Sequence, residues 1–284
     1  MSFQRVGVLG SGIMASGIAE VASGAGASVI VRSRTHAAAD AMLGSLEESL
    51  ARHVDRERMS ADDASALRGR VTATTLLDDL ADCDLVIESV VEEMSVKKAI
   101  FMEIDRVVQP DAVFATNTST LSVIELAMGT ERPERVCGMH FFNPAPAMSL
   151  VEIVRPLCAS DQTIDAVMAF ARACRKEPVL VKDQAGFVVN ALLFPYLNNA
   201  IRLLEQGVAS KEGIDFAMRG GCGFPMGPFA LLDLVGLDTS LAILEALHAE
   251  FADPHLAPVP LLRRMVSAGL LGRKSGAGFY DYRR

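Results

Sequence analysis

A histidine and a glutamate, each beside apolar residues, lie 12 residues apart in the chain. His140 ends the run VCGMH, and Glu152 interrupts the apolar run Leu150–Val154. A glutamate in such a run either pairs with another group or carries a desolvation cost. A carboxylate beside an imidazole fixes its tautomer and makes it a stronger base. The pair therefore predicts proton removal from a substrate hydroxyl, with a buried structural histidine as the alternative.

A glycine-rich turn, GSGIMA at residues 10–15, follows a short β-branched-rich run and opens a helical pattern. Gly10 permits a tight turn, Gly12 permits close approach of a pyrophosphate, and Ala15 permits close helix–strand packing. The helix N-terminus offers free N–H groups and a partial positive charge to phosphates. We predict a dinucleotide site with contacts at Gly10, Gly12, Ile13 and Met14. An ordinary turn, an FAD site and an S-adenosylmethionine site are the alternatives.

The segment VIVRSRTH, at residues 29–36, ends where a dinucleotide fold usually offers an acid to a ribose. The position is occupied by Ser33, and Arg34 follows it. A serine can still hydrogen-bond but does not repel a phosphate, and an arginine can pair with a 2′-phosphate or stack on adenine. The segment favours NADP(H) over NAD(H). The alternative is a surface arginine beside a site that still binds NAD.

The segment N117-T-S119 follows a predicted strand and so reaches the same sheet edge as His140. Ser119 is a candidate donor to a substrate oxygen, and Asn117 is a candidate nicotinamide contact. The alternative is a capped helix start. The turn Asn143–Pro146 can fold the strand that contains Glu152 back beside His140.

Strand and helix patterns alternate along the first two thirds of the chain. The predicted strands are Arg5–Leu9, Ser28–Arg32, Asp84–Ser89, Ala112–Thr116 and Val136–His140. Helical patterns lie between them, and those near residues 40–70 suggest a hairpin. Such alternation predicts an α/β fold with a doubly wound, mostly parallel sheet.

The alternation stops near Lys182, and the remaining patterns are helical. We predict a dinucleotide-binding domain over residues 1–184, with the helical hairpin, and a helical domain over residues 185–284. The predicted C-terminal helices are Phe187–Gln206, Ser210–Arg219, Pro228–Phe251 and Leu261–Ala268.

The composition disfavours several classes of partner. A net charge of -8 over 284 residues makes nucleic acid an unexpected ligand, because phosphate backbones reward basic faces. No HExxH spacing is present, so no metal site is predicted. Five cysteines without a CxxC pair, and no signal-peptide pattern, predict a cytoplasmic protein. The apolar segment from Ala185 to Leu204 is interrupted by polar residues and Pro195, so no membrane span is expected.

Several segments together resemble the 3-hydroxyacyl-CoA dehydrogenase family, most of all its bacterial 3-hydroxybutyryl-CoA dehydrogenase branch. They are GSGIMASGIAE, DLVIESVVEEMSVKKAIF, ATNTSTLS, HFFNPAPAMSLVEIV, DQAGFVVNALLFPYLNNAIRLLEQGVAS, PMGPFALLDLVGLDT and LGRKSGAGFYDY. The resemblance covers essentially the whole chain in order. The combination of HFFNP, a downstream glutamate and GFVVN is its most specific part.

The resemblance implies a Rossmann-like domain followed by a helical domain that forms a homodimer. It implies interconversion of a short-chain L-3-hydroxyacyl-CoA thioester and its 3-oxo form. His140 would be the catalytic base and Glu152 its orienting partner, while Ser119 and Asn190 would hold the substrate. The matching cofactor contacts are Glu92, Lys97, Asn143 and Lys274, and the CoA contacts are Ser49 and Arg56.

Two other functions stay open. The hairpin is mixed in charge where relatives often offer lysines to CoA, which leaves room for a carrier-protein thioester. A free hydroxy acid is a related alternative. A catalytically silent dinucleotide-binding protein is the third function. The intact set of His140, Glu152, Ser119 and Asn190 argues against silence.

Overall fold

The computed structural model describes residues 3–283, which form two compact units that join in sequence at Asp183 and Gln184. Within the described residues, the first unit contains one sheet of eight strands. They are Arg5–Leu9 (β1), Ser28–Arg32 (β2), Val71–Thr74 (β3), Leu85–Glu88 (β4), Val113–Thr116 (β5), Val136–Phe141 (β6), Leu150–Arg155 (β7) and Glu177–Lys182 (β8).

The strand order is β3-β2-β1-β4-β5-β6-β7-β8, and neighbours are parallel except for the antiparallel pair β6–β7. The predicted α/β fold with a mostly parallel sheet is confirmed. Two edge strands, β3 and β8, were not predicted. Both have weak patterns: β3 is half-exposed VTAT, and β8 begins Glu-Pro and leaves Val179 and Leu180 exposed. Edge strands lack the continuous burial that makes central strands readable.

Six α-helices accompany this sheet in the described part of the first unit. They are Ile13–Gly24 (α1), His36–Asp55 (α2), Ala61–Gly69 (α3), Met94–Asp105 (α4), Val123–Ala127 (α5) and Asp161–Ala173 (α6). Side-chain oxygens of Thr35, Ser60 and Ser160 cap α2, α3 and α6 by accepting a backbone N–H. Helix α2 buries Met42, Leu46 and Leu50, residues four apart on one helical face.

The second unit is helical within residues 184–283. Its α-helices are Val189–Glu205 (α7), Lys211–Cys222 (α8), Pro228–Val235 (α9), Leu237–Phe251 (α10) and Pro260–Ser267 (α11). The single helix predicted over Pro228–Phe251 is wrong, because Gly236 lies at φ 103° and separates α9 from α10. A positive φ of this size breaks a right-handed helix, and glycine adopts it without a Cβ clash.

The core of the second unit contains Phe194, Leu197, Phe229 and Leu244, all buried. The Asp233 carboxylate accepts the backbone N–H groups of Phe279 and Tyr280 and so holds the C-terminal segment against α9. Among residues 3–283, no helix is long and apolar enough to cross a bilayer.

The glycine in β6 leaves no room for a side chain. A Cβ at Gly138 would lie 2.6 Å from the Val154 Cβ on β7. We expect Gly138→Ala to lower the free energy of unfolding by about 1–3 kcal/mol, because the crowded strand must shift. Gly44→Ala is the matched control. Gly44 lies inside α2 with open space around its Cβ position, so alanine should stabilise by about 0.5–1 kcal/mol. Urea unfolding measures both, and equal changes would contradict the packing at Gly138.

Candidate active site

The strand order reverses between β1 and β4, and the glycine-rich turn follows β1 at this point. In open α/β sheets, ligands bind at such a switch point, beyond the carboxyl ends of the strands. Gly10 lies at φ 122°, and a Cβ there would collide with the Ser89 carbonyl oxygen. A Cβ at Gly12 would meet nothing within 4 Å in the described chain. The first glycine thus makes the turn, and the second leaves space beside the start of α1.

His140 and Glu152 are directly opposite each other on the antiparallel strands β6 and β7. The turn between these strands begins at Phe142 and returns the chain at Ser149. The His140 Nδ1 atom lies 2.8 Å from a Glu152 carboxylate oxygen. His140 is 5% exposed and Glu152 is 1% exposed. The apolar run that contains Glu152 therefore does bury a carboxylate, and the imidazole is its hydrogen-bonding partner.

The carboxylate determines which imidazole nitrogen can accept a proton. An ionised carboxylate only accepts hydrogen bonds, so His140 Nδ1 carries the hydrogen and Nε2 has the lone pair. The Ser119 Oγ atom lies 3.1 Å from His140 Nε2. The Phe142 ring packs against the imidazole with centroids 4.5 Å apart. Three residues, from β7, the segment after β5 and the turn after β6, thus orient one imidazole.

Asn117 connects the ends of three strands. Its Oδ1 accepts the backbone N–H of Phe141 at 2.8 Å, and its Nδ2 donates to Ser89 Oγ at 3.3 Å. These bonds join the segments after β4 and β5 to the end of β6. Asn117 therefore positions the segment that contains Ser119, in addition to any contact with a cofactor.

Glu88 is a buried carboxylate that the sequence did not identify. It ends β4, is 0% exposed, and accepts from Lys97 Nζ at 2.6 Å, Thr116 Oγ1 at 2.7 Å and Val90 N at 2.6 Å. In DLVIES it is the penultimate residue, next to the predicted end of the strand, where an acid looks like ordinary strand termination. The signal that could have revealed it is Lys97, nine residues later on the inner face of α4.

Glu92 and Lys97, predicted as cofactor contacts, lie beside each other. Lys97 Nζ is 3.2 Å from Glu92 Oε2, and the Lys97 side chain is 1% exposed. The other carboxylate oxygen of Glu92 accepts from Thr118 Oγ1 at 2.6 Å and from the Ser119 N–H at 2.8 Å. Both residues are thus part of the support for the Ser119 segment.

The segment after β2 has two unusual polar side chains. Ser33 is buried, and its Oγ has no hydrogen-bond partner within residues 3–283. Arg34 is exposed, and no ion pair or hydrogen bond involves it in the same range. Both lie immediately before the N-terminus of α2, whose cap is Thr35. A buried hydroxyl and a free guanidinium therefore lie beside a helix N-terminus.

A buried lysine, Lys176, binds the loop between β6 and β7. This loop contains Asn143. Lys176 Nζ donates to the carbonyl oxygens of Ala145 and Met148, each at 2.7 Å. Burial lowers the pKa of Lys176 from its usual value. Asn143 itself is exposed. The lysine fixes the loop from its buried side and leaves the asparagine accessible.

The other predicted residues belong to other elements of the chain. Ser49 is within α2, and Arg56 is the exposed residue that follows this helix. Asn190 is buried in the first turn of α7, and Lys274 donates to an Asp238 carboxylate oxygen at 2.6 Å; both belong to the second unit. No group of three or more His, Cys, Asp or Glu side chains suited to a metal ion occurs among residues 3–283.

Together, this fold and the oriented imidazole define an oxidoreductase with a nicotinamide dinucleotide cofactor. The family model described as "3-hydroxyacyl-CoA dehydrogenase, NAD binding domain" matches residues 5–184, and the model of the C-terminal domain matches residues 186–282. The chain belongs to the 3-hydroxyacyl-CoA dehydrogenase family, and the resemblance identified from the sequence is confirmed.

Individual relatives align with this chain over nearly their whole length. The chain is 48% identical to a 3-hydroxybutyryl-CoA dehydrogenase of Mycobacterium tuberculosis over 99% of both chains. It is 44% identical to a 3-hydroxybutyryl-CoA dehydrogenase of Clostridioides difficile, over 99% of this chain and 100% of that one. Among solved structures, (S)-3-hydroxybutyryl-CoA dehydrogenase from Ralstonia eutropha aligns over 100% of both chains with a TM-score of 0.97 and 42% identity.

Proposed function

We propose that this protein interconverts short-chain L-3-hydroxyacyl-CoA, such as 3-hydroxybutyryl-CoA, and the 3-oxoacyl-CoA with NADP(H) as the favoured cofactor. The observation that carries the reaction is the contact of His140 Nδ1 with Glu152 at 2.8 Å, because it leaves Nε2 as the proton acceptor. The names of the relatives support the substrate class.

His140 holds the transferred proton at Nε2. In oxidation the substrate 3-hydroxyl donates to this nitrogen, and in reduction the same nitrogen returns the proton. The Glu152 carboxylate stabilises the imidazolium that forms, since the two charges are opposite and buried. Ser119 Oγ, 3.1 Å from Nε2, is suited to hydrogen-bond the same substrate oxygen. Ser119 and Asn190 are our proposed substrate-holding residues.

The start of α1 fits a dinucleotide pyrophosphate. No side chain caps this helix N-terminus, and the Gly12 position opens into free space within the described chain. Free N–H groups and the helix dipole favour phosphate there. Bound nicotinamide supplies hydride acceptance or donation at the substrate carbon. The proposed cofactor residues are Gly10, Gly12, Ile13, Met14, Ser33, Arg34, Glu92, Lys97, Asn117, Asn143 and Lys274.

Ser33 and Arg34 support the preference for NADP(H). The end of β2 carries no carboxylate that would repel a 2′-phosphate. The Arg34 guanidinium has no partner among residues 3–283, and the N-terminus of α2 adds a partial positive charge. An unpaired guanidinium beside a hydroxyl suits a phosphate through charge-assisted hydrogen bonds.

Arg34→Ala should reduce kcat/KM with NADPH by about 10- to 100-fold, the value of one or two charge-assisted hydrogen bonds. The kcat/KM with NADH should stay close to wild type, because NADH has no 2′-phosphate. Arg106→Ala is the matched control, since Arg106 is an exposed arginine that follows the last residue of α4 and is not among the proposed cofactor residues. Equal losses with both cofactors, or a wild type that prefers NADH, would remove the NADP(H) assignment.

Further parts of the proposal concern CoA and assembly. Ser49 and Arg56 are the proposed CoA contacts on the helical hairpin. The region from residue 185 is the proposed substrate and dimerisation domain, and exposed Leu192, Val208 and Phe216 give this unit apolar surface for a second copy. Light scattering of the purified protein measures the oligomeric state. The cytoplasmic location stays a prediction.

Initial rates with acetoacetyl-CoA test the function. We expect turnover with NADPH above that with NADH, and decreasing kcat/KM as the acyl chain lengthens. The matched thioester on an acyl carrier protein should react more slowly than the CoA thioester. A carrier-protein preference would replace the CoA assignment. Cofactor binding without turnover of any hydroxyacyl or oxoacyl thioester would favour the catalytically silent alternative.

A further inference from the structure

The carboxylate of Glu88 is too deeply buried to contact a ligand, yet two of its hydrogen-bond partners, Lys97 and Thr116, are linked to the segment that contains Ser119. Glu88 is 0% exposed. An acid at such a position is retained at a desolvation cost and requires several donors. It has three: Lys97, Thr116 and the Val90 N–H.

A first chain of contacts runs from Glu88 through Lys97 and Glu92. Lys97 Nζ is 2.6 Å from Glu88 Oε1 and 3.2 Å from Glu92 Oε2. The lysine thereby holds one oxygen of Glu92 while the other oxygen accepts from the segment after β5. That second oxygen accepts hydrogen bonds from Thr118 Oγ1 at 2.6 Å, from the Ser119 N–H at 2.8 Å and from the Thr120 N–H at 3.3 Å.

A second chain of contacts avoids Lys97. Thr116 Oγ1 donates to Glu88 Oε2 at 2.7 Å and accepts the Thr118 N–H at 3.2 Å. Both chains end on the same short segment, residues 118–120. This segment contains Ser119, whose Oγ lies 3.1 Å from His140 Nε2. Both chains therefore connect the segment of this serine to a buried acid at the end of another strand.

We propose that Glu88 and Lys97 form a buried positioning pair that fixes the Ser119 hydroxyl against His140 through Glu92 and Thr116. This inference rests on the proposed function of Ser119 and His140. Because Glu88 is enclosed, its effect reaches the reaction only through neighbours that hold Ser119. Its loss should lower kcat at saturating cofactor, because the Ser119 hydroxyl is displaced.

Glu88→Gln keeps the volume and removes the charge that holds Lys97. We expect kcat to fall roughly 10- to 100-fold, the usual effect of displacing a reacting group by about 1 Å. The kcat is compared at saturating cofactor, because Glu92 and Lys97 are also proposed cofactor contacts and the cofactor dissociation constant can change with them. Lys98→Met is the control. Lys98 follows Lys97 on α4, but it is partly exposed and pairs with Glu125 of α5. Its kcat should equal that of wild type.

A double-mutant cycle with Ser119→Ala decides the route. If Glu88 acts through Ser119, Glu88→Gln should cause no further loss of kcat once Ser119 is alanine. Losses that multiply, a wild-type kcat for Glu88→Gln, or an unaffected Ser119→Ala would each overturn the inference. A wild type without hydroxyacyl-CoA turnover would instead overturn the proposed function, so the two failures are distinct.

In Glu88→Gln the buried Lys97 ammonium loses one of its two carboxylate partners and keeps only Glu92. This loss can destabilise the fold, so the stability of the variant is measured by thermal unfolding. Glu88→Gln/Lys97→Met removes both charges together, which should restore stability. In the positioning account this double variant keeps the kcat defect, because Glu92 has lost its anchor. A fully active double variant would contradict the account. Should neither fold, Glu92→Ala replaces them in the cycle, since Glu92 is 39% exposed. At saturating cofactor it too should cause no further loss of kcat once Ser119 is alanine.

Discussion

Replacing His140 by glutamine is expected to lower kcat by roughly 10²- to 10⁴-fold, the range attributed to general acid–base catalysis. Glutamine has no group that takes up a proton, so the substrate hydroxyl would have to release its proton to water. The cofactor dissociation constant should stay near wild type, because the glycine-rich turn is unchanged. Steady-state rates and a fluorescence titration of the cofactor measure the two quantities.

His248→Gln is the control for this substitution. His248 lies in α10, and its Nδ1 contacts the backbone oxygen of Asp253, far along the chain from the catalytic pair. Its turnover should match wild type. Unchanged turnover in the His140 variant would remove His140 from the mechanism, whatever its geometry.

The second large effect is expected at Glu152. Glu152→Gln should lower kcat by roughly 10²- to 10⁴-fold, as when a carboxylate that orients a catalytic imidazole becomes an amide. The amide NH₂ can donate to Nδ1 and so favour the tautomer with its hydrogen on Nε2, which cannot accept the substrate proton. The buried imidazolium also loses its opposite charge. Rates in both reaction directions measure the loss.

Glu152→Asp separates charge from position. It keeps the carboxylate but shortens the side chain, so the 2.8 Å contact with Nδ1 should lengthen. We expect activity between that of wild type and that of the glutamine variant. Equally low activity of the aspartate and glutamine variants would mean that a carboxylate charge does not suffice without the contact to Nδ1. Full activity of the glutamine variant would exclude the orienting role of Glu152.

The catalytic pair was predictable because its signals are local. A glutamate inside LVEIV has to find a partner, and the turn Asn143–Pro146 returns the chain beside His140. The sequence pattern does not show which residues pair across the two strands. The antiparallel register of the structure does, because it sets His140 directly opposite Glu152. A shift of one residue would turn Glu152 to the other face of the sheet. Sequence spacing alone does not determine that register.

The contacts of Glu88 were not predictable by the same reasoning. Its partners Lys97 and Thr116 are 9 and 28 residues away, and each belongs to a different element. An acid in the penultimate position of DLVIES has the pattern of a strand end in solvent. Burial of that end depends on neighbouring segments that the sequence does not position. The break at Gly236 was missed for a related reason, because a glycine is tolerated inside helices as well as between them.

The segment after β2, with Ser33 and Arg34, was partly predictable. The lack of an acid at Ser33 was evident from the sequence, and the structure adds that the hydroxyl is buried and that Arg34 has no partner within residues 3–283. Loss of a repelling carboxylate permits a 2′-phosphate, and the free guanidinium favours one. The preference itself is a difference between two binding free energies, which only a comparison of both cofactors measures.

The most direct test of the central claim follows the hydrogen on the reacting carbon. L-3-hydroxybutyryl-CoA with deuterium at C3 is oxidised by the wild-type protein, and the mass of the reduced nicotinamide cofactor is measured. We predict that the reduced cofactor gains one deuterium, that the D enantiomer gives almost none, and that the His140→Gln variant forms it far more slowly. A reduced cofactor without deuterium, or equal turnover of both enantiomers, would contradict the assignment as an L-3-hydroxyacyl-CoA dehydrogenase.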